Sequence, residues 1–247
     1  MPVLFVSPEC IDQQTIVITG DVLVHLRDSL RITIGETLWL NSGQGAKFHV
    51  EITDVSKRAV AARILETIQE PPRQTPCLIL GQSLLKGEKM DWVIQKATEL
   101  GVSEIVPIES QHSVVQLKAD RVDHQLARWQ RIALEAAQQS EQWRIPTIAK
   151  PQSLSVLLTS VATGMLTLML VERRDGKSLQ TVNLPQDATG SILILIGPEG
   201  GWSKEEVVEI AAQAGVQPIT LGQHILRAET AAIASISILQ SRLAERG

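Results

Sequence analysis

The chain has 247 residues, 44% hydrophobic and 20% charged, with a formal net charge of -4. That balance suits one large or two modest globular domains and excludes a disordered chain. The negative charge gives no global basic field for nucleic acid, so any RNA contacts must be gathered locally. With no Tyr, two Phe and five Trp, rows of base-stacking aromatics are excluded as well. Residues 1 to about 70 read as short, β-branched, partly alternating strands: Leu4-Phe5-Val6, Thr15 to Thr19, Ile32 to Leu40, Phe48 to Val55 and Ala59 to Ile68. The turn cluster Asn41-Ser42-Gly43-Gln44-Gly45 separates the third from the fourth. Together they predict a small β-barrel. Three prolines in Glu70-Pro71-Pro72-Arg73-Gln74-Thr75-Pro76 then interrupt all regular structure, and the domain boundary is placed there.

Beyond the prolines strands and helices alternate. Leu78 to Gln82 and Ile105 to Ile108 read as strands. Lys89 to Leu100 reads as a helix closed by Gly101, and Arg121 to Ser140 as a long helix. Ser153 to Val161 looks helical. Met165 to Val171 and Ile192 to Ile196 are wholly apolar strands, the mark of a parallel sheet covered on both faces. Ser203-Lys204-Glu205-Glu206 is a capping box opening a helix to Ala214, with Gly215 after it. Pro218 to Leu221 is a strand and Ala228 to Leu243 the last helix. The expected architecture is a β-barrel, residues 1–72, followed by an α/β domain, residues 73–247.

Other classes find no support. Met1 to Cys10 has no basic segment, so no secretory leader is expected, and the longest apolar stretch is too short to span a bilayer. Cys10 and Cys77 have no CxxC spacing, which fits a reduced intracellular protein, and Cys77 in its apolar run is expected to be a buried small hydrophobe. The five histidines, at positions 25, 49, 112, 124 and 224, show no metal-ligand spacing.

The sharpest motif is Ile196-Gly197-Pro198-Glu199-Gly200-Gly201-Trp202, between a buried strand and a capped helix. Glycines at the carboxyl edge of a parallel sheet let backbone approach a ligand closely. The segment is neither G-x-G-x-x-G nor a P-loop, so neither NAD nor ATP is suggested. In Leu221-Gly222-Gln223-His224-Ile225-Leu226-Arg227-Ala228-Glu229-Thr230-Ala231 a glycine again ends a strand just before a helix. Glu229 complements the helix dipole, whereas Arg227 opposes it and so hints at a ligand.

These segments resemble the signature blocks of the bacterial 16S ribosomal RNA (uracil-N3)-methyltransferase family, of the SPOUT superfamily. Lys86-Gly87-Glu88-Lys89-Met90-Asp91-Trp92 with Gln95 to Val102, and Glu135-Ala136-Ala137-Gln138-Gln139-Ser140, are similar to two further blocks in the right order. His25-Leu26-Arg27 resembles a patch of the family's PUA-like domain. One departure is visible: Glu141-Gln142-Trp143 intervene before Arg144, where the family has an arginine sooner, so no substrate role is carried over to Arg144.

The resemblance implies a trefoil-knotted SPOUT-type α/β domain preceded by a PUA-like β-barrel, S-adenosyl-L-methionine as cofactor, a homodimer, and action in the cytoplasm on N3 of a uridine in 16S ribosomal RNA of the small ribosomal subunit. No membrane and no metal are implied. Cofactor contacts are expected from Leu170, from Ile196, Gly197, Glu199, Gly200 and Gly201, and from Leu221, Gly222, Ile225 and Leu226. Arg227 is the candidate for stabilising charge on the base, and Glu229 for taking its proton or orienting Arg227. RNA contacts are expected on Arg27 and Arg31 of the barrel and on Lys86, Lys89, Lys96, Arg121, Arg128, Arg131 and Gln139. The last helix, with Ala231, Ala232, Ile233, Ala234, Ile236, Ile238 and Leu239, is apolar nearly all round and must be buried. Two alternatives stay open: a SPOUT enzyme with another target, such as a ribose 2′-hydroxyl, and an RNA-binding assembly factor without catalysis.

Overall fold

The computed structural model describes residues 3–162, 165–171, 176–185 and 188–245. They form two compact units. One comprises residues up to Pro72 together with Leu134–Ile145; the other runs from Arg73 to Ala133 and resumes at Pro146.

The first unit is a five-stranded sheet in the order β1-β3-β4-β5-β2, with β1 (Leu4–Phe5), β2 (Thr15–Ile18), β3 (Thr37–Asn41), β4 (Ala46–Val55) and β5 (Val60–Gln69). Every pairing is antiparallel except β1 with β3. Alternation works as the sequence indicates: in β2, Ile16 and Ile18 are buried while Thr15 and Val17 are exposed. Register shifts between His49 and Val50 and between Ile52 and Asp54 interrupt the β4–β5 ladder, as bulges do where strands must bend.

Two readings of this unit need correction. Ile32 to Leu40 is not one strand, because Gly35 turns the chain at a φ of 89° and the strand begins only at Thr37. Helix α1 (Gly20–Val24), which continues into a wider turn over His25–Ser29, was not foreseen. Its signal was the spacing of Leu23 and Leu26, both buried, hidden among β-branched neighbours.

The segment Leu134–Ile145 of this unit comprises the end of α3 (Ala119–Gln139) and the six residues after it. Glu141 caps the helix in the left-handed region at a φ of 54°, and the Gln142 N–H returns to the Ala137 carbonyl. The segment then lies along the Asn41–Gly45 turn. Asn41 Nδ2 donates to the Gln142 carbonyl at 2.8 Å, Lys47 sits 4.2 Å over the Trp143 ring, and Arg144 pairs with Glu70. Glu141, Gln142 and Trp143 are therefore the residues that lie against this turn.

The second unit is an eight-stranded, wholly parallel sheet in the order β11-β13-β10-β12-β6-β7-β8, with β9 also on β7. Its strands are β6 (Cys77–Ser83), β7 (Glu104–Glu109), β8 (Thr147–Ile148), β9 (Gln152–Ser153), β10 (Leu166–Leu170), β11 (Lys177–Ser178), β12 (Ser191–Ile196) and β13 (Val216–Thr220). Its helices are α2 (Lys89–Glu99), α3, α4 (Leu154–Ser160), α5 (Lys204–Ala211) and α6 (Ala228–Ala244). β12 lies between β10 and β6, and Ile192 to Ile196 are all buried, as the unbroken apolar run requires. Leu193 and Leu195 pack with Leu154, Leu157 and Ile210 of α4 and α5, while α6 packs on β12, β6 and α2. Ile194 is fully buried. Ile194→Ala is expected to cost about 2–5 kcal/mol, measured as a lower denaturant midpoint at unchanged slope.

The short strands β8, β9 and β11 were not anticipated, being two residues each. Cys77 is only half-buried, its sulfur touching the Arg73 guanidinium, because it sits at the open start of β6 rather than within it.

Candidate active site

Strands β13, β10 and β12 are neighbours, so the segments leaving their carboxyl ends share one edge of the sheet. Leu170 ends β10, Ile196 ends β12 ahead of Gly197 to Gly201, and Thr220 ends β13 ahead of Leu221 to Leu226. Sheet order reverses nearby, between the strands reached early and late in the chain, and such switch points open ligand crevices.

The glycines here have separate reasons. Gly201 and Gly222 have φ of 72° and 131°, conformations that side chains disfavour. A Cβ on Gly197 would lie 3.2 Å from the Trp202 ring, and one on Gly200 would lie 3.0 Å from the His112 Cβ. The Trp202 Nε1–H is buried with no hydrogen-bond partner among the described residues, an orphaned donor against the Gly197 backbone.

The expected capping box is present. Ser203 Oγ accepts from the Glu206 N–H at 3.1 Å, and Glu206 Oε2 accepts from the Ser203 N–H at 2.8 Å. Its other oxygen, Oε1, accepts from the Gln111 N–H at 2.8 Å, and His112 Nδ1 lies 3.1 Å from the Gly201 carbonyl. The chain after β7 is thus latched to the glycine loop. Sequence reasoning missed Gln111 and His112, since nothing in the local pattern after β7 points to a loop reached only through the fold.

A charged group stands beside this edge. Lys89 Nζ is 2.9 Å from Glu199 Oε1 and 3.8 Å from Glu229 Oε1. Burial alone would push the Glu199 carboxyl up, but hydrogen bonds from Lys89 and from backbone N–H groups, with the lysine's charge, hold it below the ordinary carboxylate range. Glu229 Oε2 is buried and lacks a hydrogen-bond partner among the described residues. Arg227 occupies the N-cap of α6 in an extended conformation. It is exposed, with no hydrogen bond or ion pair from its guanidinium among the described residues. Ile225 and Leu226 are exposed as well.

The residues expected to meet RNA are not all free. Arg27 is bound to Asp28 through two hydrogen bonds, of 2.6 and 2.9 Å, which raise its pKa. Arg128 donates twice to Asp91, which also accepts from Trp129 Nε1 at 3.1 Å. Lys96 is paired with Glu99 and Lys89 with Glu199. Arg31, Lys86, Arg121, Arg131 and Gln139 have exposed side chains, Arg131 with a polar partner of its own. Arg27, Arg31 and Gln139 belong to the first unit, and Lys86, Lys89, Arg121, Arg128 and Arg131 to the second. Among the described residues no group of three His, Cys, Asp or Glu side chains is arranged to hold a metal ion.

Comparison with known proteins gives consistent results. A model of the RNA methyltransferase domain matches residues 72–240, and one of the RNA methyltransferase PUA domain matches residues 18–65. The chain is 32% identical over 244 residues to ribosomal RNA small subunit methyltransferase E of Synechocystis, covering 96% of this chain and 77% of the relative. It is 32% identical over 232 residues to the protein of that name in Bacillus subtilis, covering 91% and 89%. The crystal structure of ribosomal RNA small subunit methyltransferase E from Neisseria gonorrhoeae bound to S-adenosyl methionine superposes with a TM-score of 0.85 at 30% identity, covering 98% of each chain.

Proposed function

The chain belongs to the RNA methyltransferase family of ribosomal RNA small subunit methyltransferase E, and we propose that it methylates N3 of a uridine in 16S ribosomal RNA. It is an S-adenosylmethionine-dependent RNA methyltransferase of the small-subunit class. The observation that carries this reading is the near-complete superposition on an enzyme of that name with S-adenosyl methionine bound.

The residues present fit that group. Leu170, the Ile196–Gly201 loop and Leu221 to Leu226 would hold it largely through backbone, with the orphaned Trp202 Nε1–H beside Gly197 as an unspent donor. When bound, S-adenosylmethionine supplies an electrophilic methyl group. Uracil N3 carries a proton and attacks only as the proton leaves. Glu229 Oε2, buried and unpartnered, takes that proton, and the free Arg227 guanidinium stabilises the negative charge that spreads onto the base oxygens. Glu229→Gln is expected to lower kcat about a hundredfold with binding of S-adenosylmethionine retained. Turnover at the wild-type rate would remove Glu229 from this role.

Residues 1–72 act as the PUA-like RNA-binding domain and residues 73–247 as a trefoil-knotted catalytic domain working in the cytoplasm. Among the described residues no helix is long and apolar enough to cross a membrane. The enzyme works as a homodimer. One face of α6 is buried within the chain through Ala232, Ile236 and Leu239, while Ile233, Ala234 and Ile238 stay partly exposed for a second copy. Transfer of a labelled methyl group from S-adenosylmethionine to purified small ribosomal subunits, with large subunits and transfer RNA as alternatives, tests the substrate. Labelling of transfer RNA alone would contradict it.

A further inference from the structure

Lys89 is the first residue of α2, where the helix dipole and free N–H groups disfavour a cation. Something must offset that placement, and two carboxylates do. Lys89 Nζ meets Glu199 Oε1 at 2.9 Å and Glu229 Oε1 at 3.8 Å, joining three segments that lie far apart in the sequence. The group is covered unevenly: the side chains of Lys89, Glu199 and Glu229 keep 36%, 28% and 14% of their exposure. One oxygen of each carboxylate faces the ammonium, and Glu229 Oε2 is left without a partner.

We propose that Lys89 is a positioning residue of the methyl-transfer site, its ammonium fixing Glu199 of the β12–α5 loop and Glu229 of α6 in one arrangement. This rests on the methyltransferase reading above. The loop that holds the methyl donor and the carboxylate that takes the uridine proton then keep a constant relation, as near-attack geometry requires. Without the lysine, two partly buried carboxylates would face each other with no shared cation and repel. The uridine proton passes to Glu229 Oε2, the N3 electron pair forms the bond to the methyl carbon, and the carbon–sulfur bond breaks to leave a neutral thioether. Lys89 exchanges no atoms in this step.

A lysine that contacts phosphate would behave differently, and the two roles separate cleanly. In Lys89→Met, kcat is expected to fall about tenfold while KM for small subunits stays within about twofold. The slope of log affinity for ribosomal RNA against log salt, measured without methyl donor, is expected to be unchanged. Lys89→Arg, which keeps charge and reach, is expected to recover most of kcat. Combined with Glu229→Gln, Lys89→Met is expected to add clearly less than its own tenfold, because the share of its effect that runs through Glu229 is already gone and only the share through Glu199 remains.

A salt slope less steep by about one, with KM raised and kcat kept, would make Lys89 an RNA contact and overturn the proposal. Losses that multiply in the double variant would overturn it too. Failure of the underlying reading is distinct, since the wild type would then transfer no methyl group to ribosomal RNA in the same assay.

Discussion

Arg227→Ala is expected to lower kcat for methylation by about 10²–10³-fold while leaving the affinity for S-adenosylmethionine within about twofold. The residue sits at the N-cap of α6, where a cation gains nothing from the helix and where Ser, Thr, Asp or Asn would serve better. Its guanidinium is exposed and unpaired among the described residues, so it holds no part of the fold in place. A charge kept free beside a glycine-edged crevice is available to an anion that forms only during reaction. Loss in kcat with binding intact is the mark of an interaction made in the transition state. Steady-state kinetics on small subunits, paired with calorimetry for the donor, measure both quantities. Wild-type turnover in the variant would exclude the role.

Gly201→Trp is expected to abolish binding of S-adenosylmethionine, which the wild type should bind saturably at close to one per chain. Two effects combine. At a φ of 72° any side chain costs about 1–2 kcal/mol, and an indole adds bulk to a loop whose other positions are glycine and proline beside Glu199. Gly201→Ala separates them, since it carries the backbone penalty without the bulk and should weaken binding rather than remove it. Both variants should melt cooperatively. Full affinity in a folded Gly201→Trp protein would place the donor elsewhere.

Much of the second unit was legible because local and global signals agree there. The apolar run at Ile192–Ile196 specified a doubly covered strand, and Ser203 with Glu206 specified where α5 starts. The glycine motifs marked the edge where β12 and β13 end, since the positive φ of Gly201 and Gly222 favours glycine whatever surrounds it. What stayed hidden was set by contacts between distant segments. Nothing near Lys89 announces that its charge is spent on Glu199 and Glu229, so it read as one of several surface cations available to RNA. The pairings of Arg128 with Asp91 and of Arg27 with Asp28 were hidden in the same way, those partners being ordinary acidic residues in the sequence.

The first unit shows the same limit in its backbone. The composition break at Glu70–Pro76 is plain, yet Leu134–Ile145 returns to the sheet through Asn41, Lys47 and Glu70, three residues that carry no mark of it. The place of Glu141-Gln142-Trp143, opaque as sequence, is seen once Trp143 is found beneath Lys47.

The most direct test is to incubate the protein and labelled S-adenosylmethionine with small subunits that lack the modification, digest the RNA, and identify the labelled nucleoside by mass spectrometry. Labelled N3-methyluridine, formed far more slowly with Arg227→Ala, is the result expected. A ribose-methylated nucleoside, or no label in a protein that binds the donor, would contradict methylation at uridine N3.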